Sequence, residues 1–249
     1  MEGYIAGTVS SSITNWPGKT SLVVQFAGCN FRCPYCYSSD FLDTKEEFKV
    51  LLKDIKREIK ENKPFVDIVF FGGAEPCLQR QSLLELADYA KKMNIKVGLE
   101  TNGSKPELIE ELIKKRLLDH ISVDLKAPLN ENFLRKIIKS ETFFQNTMDI
   151  VDDIKKTLNI LKENENRLEI EIRTTIVPGL VYRKEDVLEI AKELKNLKCR
   201  WRLQQFRPDL STIVDKKFKN IKPPTKEFLL GLKETCQKAY PGLRVSVDA

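Results

Sequence analysis

The sequence holds a single histidine, His120, so chemistry built on a histidine acid–base pair is not expected. Long hydrophobic runs are missing too, and without one of membrane-spanning length no transmembrane helix is expected. The opening Met1-Glu2-Gly3-Tyr4 carries no basic stretch followed by an apolar region, so no secretory signal is read there. Nor does charge of one sign dominate: Lys plus Arg number 42 against 36 for Asp plus Glu. They are interspersed, as in Lys53-Asp54-Ile55-Lys56-Arg57-Glu58, a pattern of solvated helix faces rather than a nucleic-acid-binding stripe. The mild positive balance suits an anionic cofactor or an acidic protein partner.

No repeat, linker or low-complexity segment divides the 249 residues, a length that suits one α/β barrel-like domain. The expected domain runs over 1–249, with a core at about 20–210 and a helix and short strand at 225–247 packed on it.

Six cysteines are present, and three crowd into Cys29-Asn30-Phe31-Arg32-Cys33-Pro34-Tyr35-Cys36. Thiolates this close on one loop can grip one polynuclear centre. A structural zinc site wants four ligands, and clusters that only carry electrons usually have four cysteines. Three leave a metal corner open to a small molecule, which marks a reaction centre. Thiols held by metal fit a reducing cytoplasm. Cys199 and Cys236 read as small core residues, and Cys77 also reads as packing.

Strand-type and helix-type runs alternate from about residue 20. Strands are expected at 20–27, 66–71, 95–100, 120–126, 168–177 and 200–206, with an edge strand at 243–247. Helices are expected at 44–62, 82–93, 106–118, 148–163, 185–196 and 225–239, the first capped by Thr44 and Glu47. Six β/α units with apolar strands imply a parallel sheet, either doubly wound or a partial (β/α)6 TIM-like barrel. The unusual residues gather after the strands: the cysteines, Gly72 to Glu75, Thr101-Asn102, Lys126, Pro178-Gly179 and Gln204-Gln205. In parallel β/α folds those ends carry the ligands.

The triplet after the first expected strand and Gly72-Gly73-Ala74-Glu75-Pro76 after the second resemble the radical S-adenosylmethionine (SAM) superfamily, with its C-x3-C-x-aromatic-C and Gly-Gly-Glu-Pro motifs. Asn15-Trp16-Pro17-Gly18-Lys19, Leu99–Gly103, Val123–Pro128, Arg173–Gly179 and Leu203–Pro208 are further similar to activating proteins of glycyl-radical enzymes, especially that of anaerobic ribonucleotide reductase. Tyr37-Ser38-Ser39 departs from the His-Asn-Pro usual in those activases. Ala74 is either an insertion or a replacement of the second glycine.

The resemblance implies a 4Fe–4S cluster on Cys29, Cys33 and Cys36, with SAM on the fourth iron and a 5′-deoxyadenosyl radical as product of its reductive cleavage. It assigns Tyr35 to the adenine, and the backbone of Gly72, Gly73 or Ala74 to the methionine ammonium, with Glu75 holding the loop or meeting that ammonium. Asn102 is assigned to ribose or carboxylate, Asp124 to ribose and Lys126 to the SAM carboxylate. Arg173 offers a second carboxylate partner, and Gln205 or Arg207 faces adenine or a substrate chain. The plainer alternatives are a packing ring for Tyr35, a turn at Asn102-Gly103, an internal salt bridge for Asp124 and Lys126, and a structural His120. The implied partners are a glycyl-radical enzyme and a low-potential electron donor of flavodoxin or ferredoxin type. Alternatives are a radical SAM enzyme acting on a small molecule, RNA or a non-glycine protein site, and a non-catalytic iron–sulfur module closed by a fourth ligand such as Cys77.

Overall fold

In the computed structural model residues 1–139, 146–208 and 214–249 are described, so the expected core limit near 210 lies outside them. The fold is mixed α/β with mostly parallel strand pairing, as the alternating pattern predicts. Two compact units divide the chain: Met1–Asn30, Asp40–Thr101 and Lys105–Ser122 form the first, and Phe31–Ser39, Asn102–Ser104 and Val123–Ala249 the second.

The first unit begins with β1 (Glu2–Ser12), a strand that the apolar pattern does not announce, followed by β2 (Ser21–Phe26) and the short β3 (Lys49–Leu51). β1 runs antiparallel to both. This pairing corrects the helix expected from Thr44. Glu2, Gly3 and Tyr4 pair with Leu51, Val50 and Lys49, and only α1 (Leu52–Asn62) is helical, with no side-chain cap. Sheet bonds made by a distant strand outweigh the local capping signal. α1 buries Leu52, Ile55 and Ile59, one helical stripe.

β4 (Ile68–Gly73), α2 (Arg80–Lys92), β5 (Lys96–Thr101), α3 (Pro106–Lys114) and β6 (His120–Asp124) follow, the last two residues of β6 being assigned to the second unit. β4 pairs parallel with β2 on one side and with β5 on the other. Its Ile68, Val69, Phe70 and Phe71 are all buried, as strands covered on both faces require. Gly98 makes room for the Phe70 ring, which a Cβ there would meet at 2.5 Å. His120 is structural in its contacts: its ring stacks on Trp16 at 4.6 Å, and Nε2 lies 3.0 Å from Ser122 Oγ.

In the second unit come α4 (Glu131–Ile138), α5 (Thr147–Asn164), β7 (Glu169–Ile176), α6 (Lys184–Leu194), β8 (Arg200–Gln205), α7 (Lys226–Ala239) and β9 (Arg244–Asp248). α4 was not expected. β7, β8 and β9 pair in parallel, so the predicted short tail is a strand. Trp201 is fully buried, and its indole N–H donates to Thr174 Oγ1 at 3.0 Å, which donates in turn to the Leu125 carbonyl at 2.9 Å. Thr225 caps α7 by accepting from the Phe228 amide.

Candidate active site

In the first unit the chain leaves β2 through Gly28, whose φ of +94° is a conformation glycine alone adopts cheaply. The Gly28 amide donates to the Phe41 carbonyl and the Cys29 amide to that of Leu42, each at 2.8 Å. The Gly28 carbonyl accepts from the Glu75 amide at 3.0 Å, so the first cysteine and the glycine-rich loop after β4 are tied together. Within that loop the demand for glycine falls on Gly73. Its φ is +100°, and a Cβ would meet Phe26 O at 2.8 Å and Phe26 N at 2.9 Å. At Gly72 the nearest contact would be an ordinary 3.6 Å. The Ala74 amide donates to Phe26 O at 2.9 Å.

Glu75 is fully buried and holds the loop: its Oε1 accepts from the Cys77 amide at 3.0 Å and from Thr101 Oγ1 at 2.8 Å. Burial pushes the Cys77 thiol well above the ordinary range, and the Glu75 charge adds to this. Sequence reasoning missed Gln79. Its amide donates to the carbonyls of Tyr4 and Ala27 at 2.8 and 2.9 Å and accepts from the Tyr4 amide at 2.7 Å, fastening β1 to the end of β2. Only knowledge of β1 would have exposed that role.

The second unit holds Cys33, Tyr35 and Cys36 with Asn102, Asp124, Lys126, Arg173 and Gln205. Cys36 N donates to Cys33 O at 3.1 Å, a tight turn, and the Ser38 amide donates to Cys36 Sγ at 3.4 Å. Burial raises the Cys33 thiol to about 11, partly opposed by the Lys126 ammonium. Tyr35 is also pushed up, first by burial and then by Cys33. Burial works against the Lys126 charge, but Asp124, Cys33 and Tyr35 outweigh it and hold that ammonium well above the lysine range. Lys126 Nζ lies 2.9 Å from Asp124 Oδ2, so the two strand-end charges form an ion pair, with Lys126 just beyond β6.

Asn102 Oδ1 accepts from the Ser104 amide at 3.0 Å, an Asx-type turn. Arg173 Nε pairs with Glu171 Oε1 at 2.6 Å, and Gln205 donates to the Pro224 carbonyl at 2.7 Å. Among the described residues no three His, Cys, Asp or Glu side chains are grouped as a metal cage. The donor set itself fits an iron–sulfur centre. All six thiols are free of disulfides, an amide N–H already points at Cys36 Sγ, and a permanent cation interacts with Cys33 and Cys36.

Residues 23–194 match the family model of the radical SAM superfamily. The chain belongs to this superfamily. Family membership implies a 4Fe–4S cluster and SAM. A Methanocaldococcus jannaschii protein provisionally named a glycyl-radical enzyme activating enzyme is 32% identical over 238 residues, covering 96% of this chain and 93% of its own. The pyruvate formate-lyase-activating enzyme of Clostridium pasteurianum is 25% identical across 79% of this chain and 78% of its own. A 7-carboxy-7-deazaguanine synthase of M. jannaschii is 30% identical across 88% and 85%. A solved radical SAM methyltransferase from Sphaerobacter thermophilus shares the fold, with a TM-score of 0.69 at 14% identity over 93% of this radical SAM chain and 67% of its own. No described helix is long and apolar enough to cross a membrane.

Proposed function

We propose that this radical SAM protein is a cytoplasmic activase that generates a glycyl radical on a large partner enzyme of the anaerobic ribonucleotide reductase kind. The observation that carries the reading is the 32% identity to the activating-enzyme relative, sustained over 96% of the chain. Cys29, Cys33 and Cys36 would hold three irons of the 4Fe–4S cluster. Backbone carbonyls of Gly72, Gly73 or Ala74 would accept from the SAM ammonium, with Glu75 keeping their loop in shape. Tyr35 would contact adenine, Asn102 and Asp124 the ribose, and Lys126 and Arg173 the carboxylate, with Gln205 facing adenine or substrate.

When bound, cluster and SAM supply one-electron cleavage of the sulfonium to a 5′-deoxyadenosyl radical. A low-potential donor of flavodoxin or ferredoxin type would deliver the electron. What the chain contributes is placement and charge. The half-buried Lys126 ammonium would offset thiolate charge, and the Glu75–Thr101–Cys77 bonds fix the loop whose carbonyls would accept from the cofactor amine.

The 30% identity to 7-carboxy-7-deazaguanine synthase favours a second reading, turnover of a small molecule by the same chemistry. Anaerobic reconstitution with iron and sulfide, followed by reduction with SAM, tests both. Formation of 5′-deoxyadenosine establishes the radical SAM reaction. A glycyl electron-paramagnetic signal on an added partner enzyme supports the activase, and conversion of a small molecule with no such signal supports the second reading.

A further inference from the structure

The residues directly after the third cysteine have no part in the reading above. Tyr37 stands between Cys36, a candidate ligand, and Ser38, whose amide donates to Cys36 Sγ at 3.4 Å. The Tyr37 hydroxyl accepts from the Arg207 amide at 2.7 Å. Its ring lies nearly parallel to that of buried Phe206, at 6.4 Å and 16°, and Phe206 meets Phe218 edge-on at 6.3 Å. The Asp215 amide donates to Pro34 O at 3.0 Å, so residues 34 and 37 are both fastened to the chain that follows β8. On the other side of the cysteine turn the Arg32 amide donates to Ile138 O at 2.6 Å. All of these contacts lie within the second unit.

Residues 34–35 and 37–38 each form a turn. The Tyr37 bond fastens the second of these turns, which carries the Ser38 N–H, to the chain beyond β8. An N–H···S bond draws density from a thiolate sulfur and raises the reduction potential of the iron it binds. We propose that Tyr37 is a positioning residue for the cluster: its bond to Arg207 orients the 37–38 peptide, keeps the Ser38 N–H on Cys36 Sγ, and thereby sets the cluster potential. This rests on the reading of Cys29, Cys33 and Cys36 as cluster ligands. It also gives the departure from the activases' usual residues a function, because the phenol spans to a strand-end amide.

Tyr37→Phe in the full chain keeps the ring and deletes the hydroxyl. Its Arg207 amide is expected to exchange hydrogen faster in the metal-free protein, with the melting temperature unchanged. After reconstitution its midpoint potential is expected to lie below that of the wild type, and iron to pass to a chelator about tenfold faster, the lower end of effects from outer-shell partners. Tyr37→Leu, which also removes the ring, should show the same shifts enlarged. A Tyr37→Phe protein with wild-type potential and iron release overturns the proposal. So does one whose potential shift comes with a fall in metal-free melting temperature, because the hydroxyl would then serve the fold generally. Wild-type protein that takes up no iron–sulfur centre would overturn the ligand reading itself and this inference with it.

Discussion

Thr101 Oγ1 donates a hydrogen bond to Glu75 Oε1 at 2.8 Å, joining the end of β5 to the glycine-rich loop after β4. The same oxygen accepts the Cys77 amide, and both side chains are buried. Solvent cannot replace a carboxylate lost from this position. Glu75→Ala is expected to cost about 1.5–3 kcal/mol, the range for hydrogen bonds to charged groups. Glu75→Gln, which retains an acceptor oxygen, should cost less. Denaturant midpoints of the two variants check the order; a Glu75→Gln midpoint as low as that of Glu75→Ala would show that the neutral acceptor contributes nothing, and one equal to the wild type would leave the charge without a structural role.

The two glycines of the motif are expected to respond differently. Gly73→Ala places a Cβ within 3.0 Å of three backbone atoms of β2 at a φ of +100°. Strain of this kind costs about 1–3 kcal/mol before any overlap is counted. Gly72→Ala meets nothing closer than 3.6 Å and should stay within about 1 kcal/mol of the wild type. Urea unfolding of both variants tests the contrast. It bears on the alignment too, since the conformation that demands glycine belongs to Gly73 and Ala74 follows it.

Glu171 is 1% exposed and lies between two guanidinium groups, Arg173 at 2.6 Å and Arg202 at 2.9 Å. Arg173 and Arg202 face each other in the β7–β8 register, so this carboxylate separates two like charges. Glu171→Leu should destabilise by about 3–5 kcal/mol, the cost of breaking a buried pair. Adding Arg202→Leu should recover part of that loss. A double variant no more stable than Glu171→Leu alone would show that repulsion between the arginines is not the cause.

The parallel core was legible because strand-type and helix-type runs alternate along the chain, with the apolar start of β4 closed by a glycine pair, and because the unusual residues follow the C-terminal ends of the strands. β1 was not, since Ser10, Ser11, Ser12 and two glycines dilute its apolar pattern and its partners lie far along the chain. That omission produced the false helix start at Thr44, because Lys49–Leu51 is a strand only where β1 supplies its bonds. For the candidate site, cysteine spacing is what singles out Cys29, Cys33 and Cys36 as the proposed ligands. The Glu75–Thr101 bond, the Gln79 clamp and the Tyr37 latch join residues 26, 75 and 170 positions apart, distances at which spacing carries no information.

Buried thiols give the metal-free protein a predictable alkaline limit. Burial raises Cys33 to about 11 and Cys199 to about 12 from an ordinary thiol value of 9.0. A thiol is neutral while protonated, so a raised value means that the fold prefers the protonated form. Below pH 9.0 both states keep the proton and the full contribution is present. Above it the unfolded chain ionises first, and stability is lost as pH climbs through the folded-state values. For Cys33 the loss approaches about 3 kcal/mol, because each tenfold change in proton affinity between the two states is worth about 1.4 kcal/mol. Denaturant midpoints from about pH 8 to about pH 11 should therefore fall, and Cys199→Ala should flatten the decline. An unchanged slope in that variant would mean that Cys199 ionises in the folded protein as readily as in the unfolded chain.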